Sequence, residues 1–177
     1  MKKFFYILIV LFGLIICATA SASNPPQFLF QFGRNGNGPG EFNQPFGVAV
    51  GHDGSVYVAD SRNNRIQKFT STGQFIRTWG SGGSGPGEFA TPEGVCEDLF
   101  GHVYVADDMN NRVQKFTTNG EYESMFGSLG PAPGQLNVPQ AIATDDLGNV
   151  FVMDGRNYRV QKFDPSGNYL LTYGYPF

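Results

Sequence analysis

An aspartate and an arginine five residues apart return three times in this chain, as Asp60–Arg65, Asp107–Arg112 and Asp154–Arg159. A carboxylate held beside a guanidinium can grip an anion, orient a proton donor or lock a turn. The recurrence favours the last of these. Each Asp ends a short β-branched run (Val56–Ala59, Val103–Ala106, Val150–Met153) and precedes a polar turn. There its oxygens can accept backbone N–H groups as well as the Arg. A role needed in every copy is architectural, so Asp60, Arg65, Asp107, Arg112, Asp154 and Arg159 are expected to hold the fold.

Chemistry peculiar to this chain is sought where the copies differ. The first apolar run of each copy begins at Phe46, Glu93 and Gln140. The turn after each Asp reads Ser61-Arg62, Asp108-Met109 and Gly155-Arg156, and Asn64 and Asn111 give way to Tyr158. Phe46, Arg62, Glu93, Asp108, Met109, Gln140, Arg156 and Tyr158 are therefore the candidate ligand-binding residues. Glu93 with Asp108 could contribute to a Ca²⁺ site, but six to eight oxygens are needed and nothing in the sequence completes the shell. His52 and His102 fall in turns at non-equivalent positions and do not offer the converging ligands of a catalytic zinc; both are expected to be solvated. No activated Ser or Cys arrangement is visible. The Gly80–Gly83 run is not followed by a helical pattern, so it does not read as a phosphate cradle. No catalytic residue and no cofactor are predicted.

These residues need positioning, and the period supplies it. Val56-Tyr57-Val58-Ala59-Asp60 returns 47 residues on as Val103–Asp107, and 47 further as Val150-Phe151-Val152-Met153-Asp154. Within the first copy, apolar runs at 47–50, 56–60, 65–70 and 75–79 are parted by turns at His52-Asp53-Gly54, Ser61–Asn64 and Ser71-Thr72-Gly73. Four short strands joined by tight turns make an antiparallel meander. Strand directions alternate, so the Ser61–Asn64 turn shares one edge with the Gly/Pro-rich passage between copies, and the turns at Gly54 and Gly73 take the other. All the candidate ligand residues then lie on the loop-rich edge. A unit of this size cannot bury its own apolar face, so sheet must stack on sheet. Phe42, Phe89 and Leu136, with Phe69, Phe116 and Phe163, are the expected fillers.

The first 22 residues carry a different message. Lys2-Lys3, an apolar run from Phe4 to Cys17 and the small residues Ala18–Ala22 have the layout of a secretory leader. The run is short for a bilayer span of about 20 residues. The expected product is secreted or periplasmic, with no stable membrane span after cleavage. Its ten basic and fifteen acidic residues leave a net charge of −5, which argues against nucleic acid and anionic lipid as partners. Cys96 stands where other copies carry Ala49 and Ala143, and reads as a small buried apolar residue.

The pattern Pro45-x-Gly47-Val48-Ala49-Val50, Gly54, Val56–Asp60, Asn63-x-Arg65-Ile66-Gln67-Lys68-Phe69, Gly73, Gly80 resembles an NHL repeat. The later copies keep most of it and depart at Leu136 and Ala141. The resemblance implies one β-propeller blade per repeat, usually six to a ring. The expected fold is all-β: three full four-stranded antiparallel blades (37–83, 84–130, 131–177), preceded by one extra strand, Phe28–Gly33, within 23–36. The ring is incomplete or open. Two copies would bring six blades and two surplus strands, an untidy sum, so a truncated product or a fragment of a longer propeller is expected. Its open blade edges would favour self-association. Family relatives include His-ligated metal lyases, RNA-binding propellers with a basic face, and extracellular sensor domains. The favoured reading is an exported, non-catalytic scaffold for a protein or small extracellular ligand. The alternative is a metal-dependent lyase or hydrolase, using calcium or zinc, of which this chain is a part.

Overall fold

A computed structural model describes residues 28–174. The expected leader and the last three residues lie outside the described residues. No helix among the described residues is long and apolar enough to cross a membrane. The chain from Phe32 onward forms one compact unit.

A small parallel ladder pairs β1 (Arg34–Asn35) with β2 (Glu41–Phe42). The first antiparallel sheet follows as β3 (Pro45–Val50), β4 (Val56–Asp60), β5 (Arg65–Phe69) and β6 (Phe75–Trp79). The pattern recurs as the ladder β7 (Ser81–Gly82) with β8 (Glu88–Phe89), then the sheet β9 (Pro92–Glu97), β10 (His102–Asp107), β11 (Arg112–Thr117) and β12 (Tyr122–Phe126). A single parallel bridge, Leu129 to Leu136, stands for the third ladder. The third sheet is β13 (Pro139–Thr144), β14 (Val150–Asp154), β15 (Arg159–Phe163) and β16 (Tyr169–Tyr173). Neighbours in each sheet are neighbours in sequence, as a meander requires, and each sheet is one blade.

Two details of the backbone position the loop-rich edge. A one-turn 3₁₀ segment (Ser61–Asn63, Asp108–Asn110, Gly155–Asn157) joins the second and third strands of each blade and ends on a left-handed residue, Asn64, Asn111 or Tyr158. The first strand of each blade carries a bulge: Pro45 pairs with Asp60 but Val48 with Val58, and the shift recurs in the other two. The extra residues are Phe46-Gly47, Glu93-Gly94 and Gln140-Ala141. A bulge re-aims the side chains it carries.

Blades pack face to face. Tyr57, Ala59 and Ile66 of the first meet Phe89, Val95, Val103, Val105 and Phe116 of the second. Cys96, Tyr104 and Val113 of the second meet Leu136, Val150, Val152 and Phe163 of the third. The innermost strands touch through Gly47 and Gly94; a Cβ on Gly94 would come 2.7 Å from the Gln140 carbonyl oxygen. Trp79 and Phe126, each ending a fourth strand, reach over to Phe116 and Phe163 of the next blade, at ring distances of 6.1 and 4.7 Å.

The extra strand expected over Phe28–Gly33 does not form: residues 28–33 carry no strand. A fourth strand is made by its ladder to a third, and among the described residues no third strand precedes this one. Phe32 alone keeps the counterpart role, packing on Phe69 at 4.9 Å as Trp79 packs on Phe116.

Candidate functional site

The repeated aspartates are fully buried, and each gathers the same donors. Asp60 Oδ1 accepts the Asn43 N–H at 2.7 Å, while Oδ2 accepts Arg65 Nε at 2.7 Å, Asn63 Nδ2 at 2.9 Å and Gln67 Nε2 at 3.1 Å. Asp107 and Asp154 repeat the set with Arg112 and Arg159. Each guanidinium also donates to three carbonyls of the Gly/Pro-rich passage before its blade; Arg65 takes those of Asn37, Gly38 and Glu41. The network fastens that passage to the blade. Gln67, Gln114 and Gln161 complete it, each donating to a carbonyl of the passage and accepting a glycine N–H from it. Sequence reasoning missed these glutamines, although Arg-x-Gln-Lys-Phe appears in all three copies.

The turn residues that differ between copies follow another logic. Ser61 Oγ donates to the Pro92 carbonyl of the second blade at 2.6 Å. The equivalent position in the second blade is Asp108, which the fold aims at Glu93 on the bulge of β9. Asp108 is 5% exposed, and its Oδ1 and Glu93 Oε2 are buried with no hydrogen-bond partner. Burial pushes the Glu93 carboxyl up to about 7, the contact with Asp108 and its charge push the same way, and the Gln140 amide opposes them. Burial also raises Asp108, with Asp107 adding to it, against the opposing effect of Glu93 and of the Arg156 guanidinium. Two carboxyl groups this close share a proton. Four of the eight candidate residues, Glu93, Asp108, Gln140 and Arg156, therefore form one electrostatic group across the second and third blades.

The other four do not join it. Phe46, Arg62 and Met109 are exposed along the same edge, and no side-chain bond among the described residues ties them to the pair. Tyr158 stands with Gln140 at a concavity of about 550 Å³ on the outer side of the third blade, lined also by Met153, Arg159, Tyr173 and Gly174. Asn64 and Asn111, its counterparts, are clasps between blades: their side-chain oxygens accept the N–H groups of Thr91 and Val138 at 2.9 and 3.0 Å.

The two histidines lie toward the opposite edge. His52 is exposed in its turn. His102 departs from the expectation of a solvated turn residue: it opens β10, and its Nδ1 lies 2.9 Å from Asp98 Oδ2. Burial works against ionising Asp98, but the His102 and Phe100 N–H groups and the His102 ring outweigh it and lower its pKa. Cys96 is buried, and burial with the Asp98 charge pushes its thiol up to about 12. Among the described residues no three His, Cys, Asp or Glu side chains converge as metal ligands. Glu93 and Asp108 supply at most four of the six to eight oxygens that calcium takes, so they do not fit a calcium shell by themselves.

Comparison with known proteins agrees with this architecture. Residues 42–69 match the NHL repeat. Protein lin-41 of Caenorhabditis elegans is 44% identical over 45 residues, 25% of this chain and 4% of that protein. The E3 ubiquitin-protein ligase TRIM71 of Mus musculus is 48% identical over 42 residues, 24% of this chain and 5% of that protein. Among solved structures, a catalytically inactive virginiamycin B lyase from Staphylococcus aureus with quinupristin aligns over 86% of this chain and 47% of its own, with a TM-score of 0.63 and 18% identity. The WD40 repeats of RRP9 align over 77% and 39%, with a TM-score of 0.61 and 16% identity. The chain thus spans a small part of these curated relatives and under half of these solved structures. At such identities the structural likeness shows the fold. The chain carries an NHL repeat, and its three sheets are β-propeller blades.

Proposed function

We propose that this chain is an exported, non-catalytic binding module whose ligand docks on the loop-rich edge over Glu93 and Asp108. The ligand is a protein segment or small molecule bearing an ammonium or guanidinium group. One observation supports this above the others: Glu93 Oε2 and Asp108 Oδ1 are buried, the two carboxyls lie against each other, and no other group among the described residues donates to either oxygen. A buried acceptor without a donor is costly, and a cationic group with several N–H bonds meets both at once. A proton competes with such a ligand, so binding strengthens as pH rises through the Glu93 value of about 7.

Calorimetric titration with short Arg- and Lys-containing peptides, at about pH 5.5 and pH 8, either side of that value, tests the reading. Binding at the higher pH, weaker at the lower and lost in a folded Glu93→Gln/Asp108→Asn variant, is the expected outcome. Peptides that bind equally well to the double variant would sink it. Export rests on the leader-like first 22 residues, and N-terminal sequencing of the exported product should begin near Ser21 or Ser23.

The fold shared with virginiamycin B lyase supports a second reading, a metal-dependent lyase or hydrolase of which these blades are a part. Turnover of quinupristin with stoichiometric zinc or calcium would favour it over the binding module.

A further inference from the structure

Arg62 and Arg156 stand apart from the other basic residues. Both are exposed on the loop-rich edge, and among the described residues their side chains donate no hydrogen bond and enter no ion pair. Every other arginine and lysine of the described residues is engaged: the three repeated arginines on their aspartates, Arg34 on Glu41, Arg77 on the Asn119 carbonyl, and each lysine on a carboxylate. Arg62 and Arg156 lie two repeat periods apart, so they hold one position on the first and third blades. Their backbones are pinned alike, the Arg62 N–H donating to the Asn43 carbonyl at 3.1 Å and the Arg156 N–H to the Asn137 carbonyl at 3.0 Å. Contacts of their neighbours bring both beside the carboxyl pair. Ser61, next to Arg62, donates from Oγ to the carbonyl of Pro92, one residue from Glu93. Gly155, next to Arg156, lies under the Gln140 side chain, where a Cβ would come 2.8 Å from Oε1, and that side chain reaches Glu93. The second blade packs between the first and the third. The edge therefore reads positive, negative, positive over three consecutive blades: Arg62, then Glu93 with Asp108, then Arg156.

We propose that the ligand of this edge is a peptide segment of alternating charge, with one basic group over Glu93 and Asp108 and an acidic group on each side for Arg62 and Arg156. The inference rests on the cation-binding reading above and adds the two flanking anions. A guanidinium presents a fork of N–H donors that matches a carboxylate. Arg62 and Arg156 have no internal side-chain bond to break, so they turn to a carboxylate at no cost to the fold. The Arg156 charge also acts on Asp108, which weakens the pull of the pair on a lone cation. An acidic group on the ligand offsets that charge and restores the pull. A polybasic chain would meet the pair with one group and be repelled by both guanidiniums with the others, so the pattern selects against it.

Calorimetric titration at about pH 8, above the Glu93 value, compares three peptides capped at both ends. The first carries one lysine between two glutamates with a glycine at each step, the second has glutamine in place of both glutamates, and the third has lysine in place of both. The acidic-flanked peptide is expected to bind at least about fivefold tighter than the glutamine-flanked one, and the polybasic peptide weakest of the three. In an Arg62→Gln/Arg156→Gln variant with an unchanged β circular dichroism spectrum, the first two should bind equally. Equal binding of those two to the wild type, with both lost in the Glu93→Gln/Asp108→Asn variant, would overturn the flanking anions and leave the cation-binding reading standing. A preference that survives in the double arginine variant, or a polybasic peptide that binds tightest, would also overturn the proposal. Failure of all three peptides to bind would overturn it together with the reading it rests on.

Discussion

Replacing Glu93 with Gln isolates the electrostatics of the carboxyl pair. In the native protein Glu93 is pushed up to about 7, chiefly by burial and then by Asp108, from an ordinary value of 4.5. Between those pH values the native state holds a proton that the unfolded chain has released, so stability falls as pH rises. The contribution is complete below about 4.5 and is lost as pH climbs through about 7. That gap corresponds to at most about 3.4 kcal/mol. Glu93 keeps some contact with water and shares its proton with Asp108, which brings the expected loss to on the order of 1–2 kcal/mol. Glutamine cannot ionise, and its amide can donate to Asp108. Glu93→Gln should therefore match the wild type near pH 5 and exceed it by about 1–2 kcal/mol near pH 8. Urea denaturation at the two pH values, followed by the fluorescence of Trp79, measures this. Trp79 is the single tryptophan and lies against Tyr57 and Phe116 at the first blade junction. Taking the difference between variant and wild type cancels every titration that is not coupled to the pair. A variant with the wild-type pH slope, or one destabilised equally at both pH values, would refute the shared-proton account.

Three further substitutions probe the framework. Asp107→Ala strands the buried Arg112 and the donors from Ala90, Asn110 and Gln114; at about 3–5 kcal/mol for a broken buried pair, calorimetry should show a Tm lower by roughly 6–20 °C, and a shift under about 3 °C would reject the network. Gly120 has φ 77°, and a Cβ there would meet the Trp79 ring at 2.6 Å, so Gly120→Ala should cost about 1–3 kcal/mol in urea denaturation and shift the Trp79 emission. Asn111→Gly keeps the left-handed backbone and removes the Val138 clasp together with the longer Asn111 Nδ2 bond to the Met109 carbonyl. It should cost about 1 kcal/mol, whereas Asn111→Ala adds a further ~1 kcal/mol of backbone strain; an Asn111→Gly variant as stable as the wild type would deny the clasp.

Much of this architecture was legible because a repeat displays its own controls. The alternation in Val56–Asp60 and its two copies announced strands, and the Asp–Arg pair was readable as framework because both residues sit inside one meander. What escaped depended on paths between elements. Gln67 reaches the Glu41 carbonyl only because the Gly/Pro-rich passage folds back over β5. Glu93 and Asp108 were singled out as differing positions, but their contact arises from a bulge that no residue pattern in β9 marks. Phe28–Gly33 has the composition of a fourth strand and forms none, because a strand is a property of its partner as much as of its residues.

The three copies sort residues by how many of them agree, and the fold gives that sorting a cause. Positions identical in all three, such as Asp60, Arg65 and Gln67, make bonds inside a repeat, which every copy must make. Positions shared by the first two only, Gly47 with Gly94 and Asn64 with Asn111, make bonds between blades. The described residues contain two such junctions, and the third copy carries Ala141 and Tyr158 at those positions. Positions that differ in every copy follow neither rule: Ser61 bonds the next blade, but Asp108 and Gly155 at the same position do not repeat that bond. Glu93 and Asp108 are of this kind, yet they are buried and matched to each other at an electrostatic cost. Drift on an exposed edge yields residues like Phe46 and Met109, each facing water alone; a buried carboxyl pair supported by Gln140 and Arg156 from the next blade is of another kind, and the proposed cationic ligand would account for it.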